Sequence, residues 1–177
     1  MSSQSYTWKN RPSAVRAILV TIFAILVVAY VSIAIGTGDY LWFLQSALED
    51  PERIVINFEG QAVTLKQNDA NFQDVSNALK VTMSNTYGFA QNVGLSDETL
   101  QDYRAHYWSV EAFYAQPVRL HSRFRFGELR QIILPLSGRH SDQNILFLGQ
   151  NEQFYTGPSL KSTTELQRTL REYDLAP

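Results

Sequence analysis

The residues best suited to chemistry lie in the stretch VRLHSRFRF, from Val118 to Phe126, where Arg119, His121, Arg123 and Arg125 alternate with Val118, Leu120, Ser122, Phe124 and Phe126. An extended strand places every second side chain on one face, so successive cations would stand roughly 7 Å apart. Such a ladder suits a carboxylate, phosphate or sulfate group, or an acidic patch on a partner protein. The competing reading is a solvated face whose arginines pair across strands with Glu111 or other acids.

A second cluster is SGRHSD, Ser137 to Asp142, which gathers serine, arginine, histidine and aspartate within six residues. A hydrolytic triad needs each member oriented by rigid, separate segments, and a six-residue loop provides no such frame. Ordinary loop polarity accounts for the composition. Arg139 and His140 are then better read as anion contacts than as catalysts.

Other chemistries find less support. His106, His121 and His140 share no i, i+4 spacing, and no acidic run has the spacing of a calcium loop, so no metal and no cofactor is expected. The glycines form no phosphate cradle; Gly36 and Gly38 follow an apolar run, and Gly127, Gly138, Gly149 and Gly157 mark turns. Residues gathered from distant segments could still catalyse.

These groups belong to a domain that a membrane helix is expected to hold in place. The run AILVTIFAILVVAYVSIAI, Ala17 to Ile35, is 19 residues long without a charge. As a helix it would measure about 28 Å, close to the hydrocarbon thickness. Backbone groups within lipid must bond inside the segment, which makes a helix the form for a lone run. A cleaved signal peptide is the alternative, because a basic segment precedes the run and Ser32-Ile33-Ala34 has small-x-small spacing; the run is longer than the usual h-region of about 7 to 15 residues.

Residues 1–16 carry Lys9, Arg11 and Arg16 and no acid, whereas Asp39, Glu49, Asp50 and Glu52 follow the run. This asymmetry predicts a cytoplasmic tail over 1–16, a transmembrane helix over 17–36, a juxtamembrane segment over 37–52 and an extracytoplasmic domain over 53–177. Tyr40, Trp42 and Phe43 then fall at the outer interface. Beyond the tail, 12 basic residues face all 17 acidic ones, a net of −5, so nucleic acid is not an expected partner. Without cysteine the domain has neither disulfides nor thiolate sites and depends on its core.

The expected elements follow from pattern. IVINF and AVTL flank Glu59-Gly60-Gln61 as a hairpin. Asn68 and Asp69 are candidate N-caps for a helix with Phe72, Val75, Leu79 and Met83 on its buried stripe. A loop is expected from Asn85 to Gly94, then a shorter helix opened by Ser96 with Leu100, Tyr103 and Tyr107 on its apolar side. WSVEAFY, VRLHSRFRF, QIILPL, NILFLG and QFYTG read as five strands of an antiparallel meander, and Ser162-Thr163-Thr164-Glu165 as a capping box for a last helix burying Leu166, Leu170 and Tyr173. The fold class is α+β: one N-terminal transmembrane helix, then a compact domain with a mainly antiparallel sheet and about three helices.

On the membrane helix Ala17, Thr21, Ala24, Val28 and Ser32 share one stripe, with Gly36 just beyond, where small side chains let another helix approach closely. A plain lipid-facing anchor is the other reading. The expected partners are the lipid bilayer and other membrane-protein helices. The function expected from this architecture is non-enzymatic binding or assembly, as in an accessory subunit of a membrane complex. The alternatives are an anchored hydrolase using His121 or His140, or a sensor of an anionic ligand using the arginine ladder.

Overall fold

The computed structural model describes residues 13–43, 49–89, 93–120, 126–150 and 153–175. Helix α1 spans Ala14–Thr37, opened by the Ser13 hydroxyl, which accepts from the Arg16 N–H at 3.2 Å. It ends at Gly38, whose φ of 68° is the left-handed C-terminal geometry that glycine adopts without steric cost. Its large side chains, among them Phe23, Ile25 and Leu26, are exposed, so α1 is one helix long and apolar enough to cross a membrane. After Gly38 the chain turns back on the helix: the Tyr30 hydroxyl donates to the Tyr40 carbonyl at 2.8 Å, and the Tyr30 and Phe43 rings meet edge-on at 6.1 Å.

The domain is built on a seven-stranded sheet: β1 Arg53–Phe58, β2 Gln61–Lys66, β3 Thr86–Phe89, β4 Ser109–Val118, β5 Leu129–Pro135, β6 Ile145–Gln150 and β7 Gln153–Leu160. Their order across it is β2-β1-β4-β5-β6-β7-β3, with each neighbouring pair antiparallel. The first hairpin closes through Glu59 and Gly60, both at positive φ, the twist that a two-residue connection requires. Strands β4 to β7 form an antiparallel meander from four of the five expected strands.

Three further helices cover the two faces: α2 Phe72–Ser84, α3 Asp97–His106 and α4 Thr164–Glu172. Period two divides each central strand between the layers. Ile54, Ile56, Val110, Ala112, Ile132, Leu134, Leu146 and Leu148 face α2 and α4, meeting Phe72, Val75, Leu79 and Met83 of α2 and Leu166 and Leu170 of α4 in the main core. On the reverse face Tyr103 of α3 joins Ile133, Ile145 and Phe147 in a smaller cluster. Burial on both sides explains why β5 and β6 read as unbroken apolar runs rather than alternating ones.

Several local expectations need correction. The segment expected as a loop from Asn85 to Gly94 contains β3, which pairs with β7 through Thr86 and Leu160, Gly88 and Ser159, and Phe89 and Pro158. Four residues with an internal glycine carry no alternating signal; the open edge of β7 supplies the partner that the local sequence does not announce. Helix α2 begins after Asn71, and Asp69 instead accepts the Lys66 N–H, closing the turn after β2. The capping box before α4 is replaced by a local bond in which the Ser162 hydroxyl accepts from the Thr164 N–H at 3.1 Å.

The strand expected from Val118 to Phe126 is not found in its described part. β4 ends at Val118, the ladder to β5 is irregular between Phe113 and Val118, and Pro117, which has no N–H to offer, lies in that interval. Leu120 and Phe126 turn into the main core.

Candidate functional site

The basic residues singled out in the sequence fall at two separate places. Arg119 lies just beyond the end of β4, half-exposed, with its guanidinium 3.3 Å from the Glu128 carboxylate. Arg139 and His140 follow the other end of the neighbouring strand β5. Seven residues of strand separate the two places by about 20 Å. Arg119 and the Arg139–His140 pair therefore cannot grip one small anion together. His121, Arg123 and Arg125 lie outside the described residues.

The loop at Ser137 to Asp142 is organised by structural bonds. The Ser137 hydroxyl accepts the Trp108 N–H at 2.8 Å, the Ser141 hydroxyl donates to the Gly138 carbonyl at 2.7 Å, and the Tyr103 hydroxyl donates to the Arg139 carbonyl at 2.7 Å. Gly138 has a φ of 74°, and a Cβ there would lie 2.4 Å from the Tyr107 ring, so this loop and the end of α3 fit only around a glycine. His140, itself at positive φ, lays its ring edge-on to Phe147 at 5.7 Å. Burial, with the nearby Arg139 charge, holds its imidazole below the usual pKa. Both serine hydroxyls are thus engaged with backbone groups, and the loop fastens α3 to the sheet.

The most developed polar arrangement was not anticipated. Glu111, near the start of β4 on the α3 face, is only 2 % exposed. Arg104 of α3 donates to both its carboxylate oxygens, Nε to Oε1 at 2.8 Å and a terminal nitrogen to Oε2 at 2.7 Å. Asn57 adds a bond to Oε1 and Gln131 one to Oε2, each at 3.0 Å. Each oxygen thus has two donors, and the Asn57 amide also reaches the Ser109 hydroxyl at 3.3 Å. The acid expected to pair with the arginine ladder is committed to a different arginine. A lone charge in the otherwise apolar WSVEAFY is the one local signal of this arrangement, and it does not point to Arg104, seven residues upstream on a helix.

Two concave surfaces accompany these groups. A groove of about 340 Å³ between α2 and α4 is lined by Asp74, Asn77, Val81, Glu165, Arg168 and Glu172, among others. Its single cation is already shared, Arg168 bonding both Glu165 and Glu172. A cleft of about 140 Å³ joins Thr37, Gly38 and Asp39 at the end of α1 to Arg119, Leu120, Phe126 and Gly127. Among the described residues no group of three or more His, Asp or Glu could hold a metal ion.

On α1 the small residues Ala17, Thr21, Ala24, Val28, Ser32 and Gly36 are all exposed. Thr21 directs its hydroxyl to the Ala17 carbonyl at 3.0 Å, within its own helix. The turn after Gly38 lies on the side carrying Tyr30, roughly a third of a turn or more from the middle of the stripe at about 100° per residue. That turn leaves the stripe open. The chain matches no protein-family model, no curated protein and no solved structure in such comparisons.

Proposed function

We propose that the chain is a single-pass membrane protein that retains α1 as a signal-anchor, with residues 1–16 in the cytoplasm and the domain on the extracytoplasmic side, and that it works by binding or assembly as an accessory subunit of a membrane complex. The observation that carries this reading is α1 itself: 24 helical residues displaying apolar side chains all round, with only Ala34 buried. A helix apolar all round needs either a protein core or lipid around it, and the exposure of its side chains in the fold favours lipid. The basic segment before it and the acids after it support the orientation. The open small-residue stripe supports a partner helix in the membrane, since association there depends on close packing rather than on hydrophobicity.

One preparation tests both parts. Protease added to sealed right-side-out vesicles should digest the domain, and gentle detergent extraction should retain a copurifying membrane protein. Ala24→Leu, on the stripe, should lose that protein, while Val27→Leu, away from the stripe, should keep it. A protected domain would reverse the orientation. Equal retention by both variants would leave α1 as a tether only.

A further inference from the structure

Exposed apolar side chains are unevenly placed on this molecule. Outside α1, the large exposed hydrophobic residues among those described are Tyr40, Leu41, Phe43, Val63, Val81, Tyr87, Phe89 and Tyr107. Five of the eight belong to the turn after α1 or to β3. These two segments are joined through one side chain: Phe126 lines the cleft shared with Thr37, Gly38 and Asp39, and its ring lies 5.9 Å from that of Phe89. Tyr87 and Phe89 are both exposed while Thr86 and Gly88 are half-buried, and the pairing with β7 is irregular between Thr86 and Gly88, which places Tyr87 at a bulge of this edge strand.

We propose that the edge of the domain formed by β3 rests on the bilayer at headgroup level, with Tyr87 and Phe89 continuing the aromatic collar of Tyr40 and Phe43. This rests on α1 being a retained anchor. Its 24 residues measure about 36 Å against a hydrocarbon core of about 30 Å, so the last turn and the aromatic segment folded back on it lie in the interface. The cleft then fixes which end of the domain meets that plane. Aromatic rings, tyrosine above all, favour this zone because one end is apolar and the other remains wet.

Depth follows from the backbone. β3 is the edge strand of the sheet formed by the described residues, with no further strand of that sheet beyond it. Hydrocarbon would leave such an edge unsatisfied, whereas headgroups and their water satisfy it. The edge therefore lies on the membrane and does not penetrate it. Arg119, at the same cleft, stands at the level of the lipid phosphates.

The chain has no cysteine, so single cysteines can be labelled cleanly with a nitroxide. Tyr87→Cys, Phe89→Cys and, on the opposite sheet edge, Val63→Cys would each be placed in the full chain in nanodiscs of mixed zwitterionic and anionic phospholipid. Collision of the label with oxygen, which concentrates in lipid, would be compared with collision with a nickel chelate, which stays in water. The expected result is an oxygen-to-nickel ratio several-fold higher at residues 87 and 89 than at 63. Tyr87→Cys keeps the test valid if replacing Phe89 disturbs its packing on Phe126. Ratios no higher than that at residue 63 would overturn the proposal, and so would low collision with both reagents, which would mean that a second copy covers the edge. Intact mass of the reconstituted chain checks the anchor separately: loss of the helix overturns both readings, whereas a full-length chain with water-exposed labels overturns this one alone.

Discussion

The two faces of the sheet solve the same burial problem with different chemistry. The face under α2 and α4 is apolar almost throughout, with Val110, Ile132, Leu134 and Leu146 fully buried beneath Leu79 of α2. The face under α3 is mixed: Ile133, Ile145 and Phe147 lie at one side, while Asn57, Ser109, Glu111 and Gln131 form a polar floor at the other. The first face gains from area alone and tolerates some repacking. The second is directional, because a buried carboxylate is tolerable only while its donors stay in place. Stability of the apolar face should therefore scale with volume, and that of the polar face with the completeness of a network.

Truncating Leu79 to alanine should have the largest effect, a loss of about 4 kcal/mol from lost transfer energy and a residual cavity. Urea unfolding of the chain in detergent would measure it. Arg104→Met should cost about 3 kcal/mol by leaving Glu111 buried without its counter-ion. Adding Glu111→Gln removes the stranded charge while keeping an acceptor, and should restore roughly half of that loss. A double variant no more stable than the single one would show that the second face is held by packing, like the first.

His140 provides the smallest and most selective perturbation. Its pKa is lowered in the folded domain by burial and by Arg139, while the unfolded chain returns it to the ordinary value near 6.5. Below that value the unfolded state binds the proton more readily, so stability is full above it and declines as pH falls toward the lowered folded pKa. His140→Asn keeps a residue that tolerates positive φ and removes the titrating group. The decline between the two pKa values should flatten in the variant; an unchanged pH profile would assign it to other groups.

Legibility followed the range of the forces involved. The hairpin at Glu59–Gly60, the stripe of Phe72, Val75, Leu79 and Met83, and the meander from β4 to β7 were readable because a local period encodes each of them. Tyr103 was correctly placed on the buried side of α3, although its bond to Arg139 was not foreseeable. β3 was missed because TYGF becomes a strand only against β7, some 70 residues away. The site residues were legible only as types: alternation suggested a basic strand, yet β4 stops at Val118 where Pro117 and an irregular ladder interrupt it.

The sequence by itself determined the features that depend on composition and short spacing: a lone apolar helix, a domain without cysteine, the α+β class and the identity of most core positions. Only the tertiary structure decided which face each central strand gives to which helix, that Glu111 is held by Arg104 across a strand and a helix, and that Arg119 and His140 lie at opposite ends of β5. The physical reason is that periodicity fixes which side of an element is apolar and must be buried, and that pattern is written in neighbouring residues. Pairing between charges and between strand edges depends instead on which distant segments the chain brings together, and no local pattern records that choice.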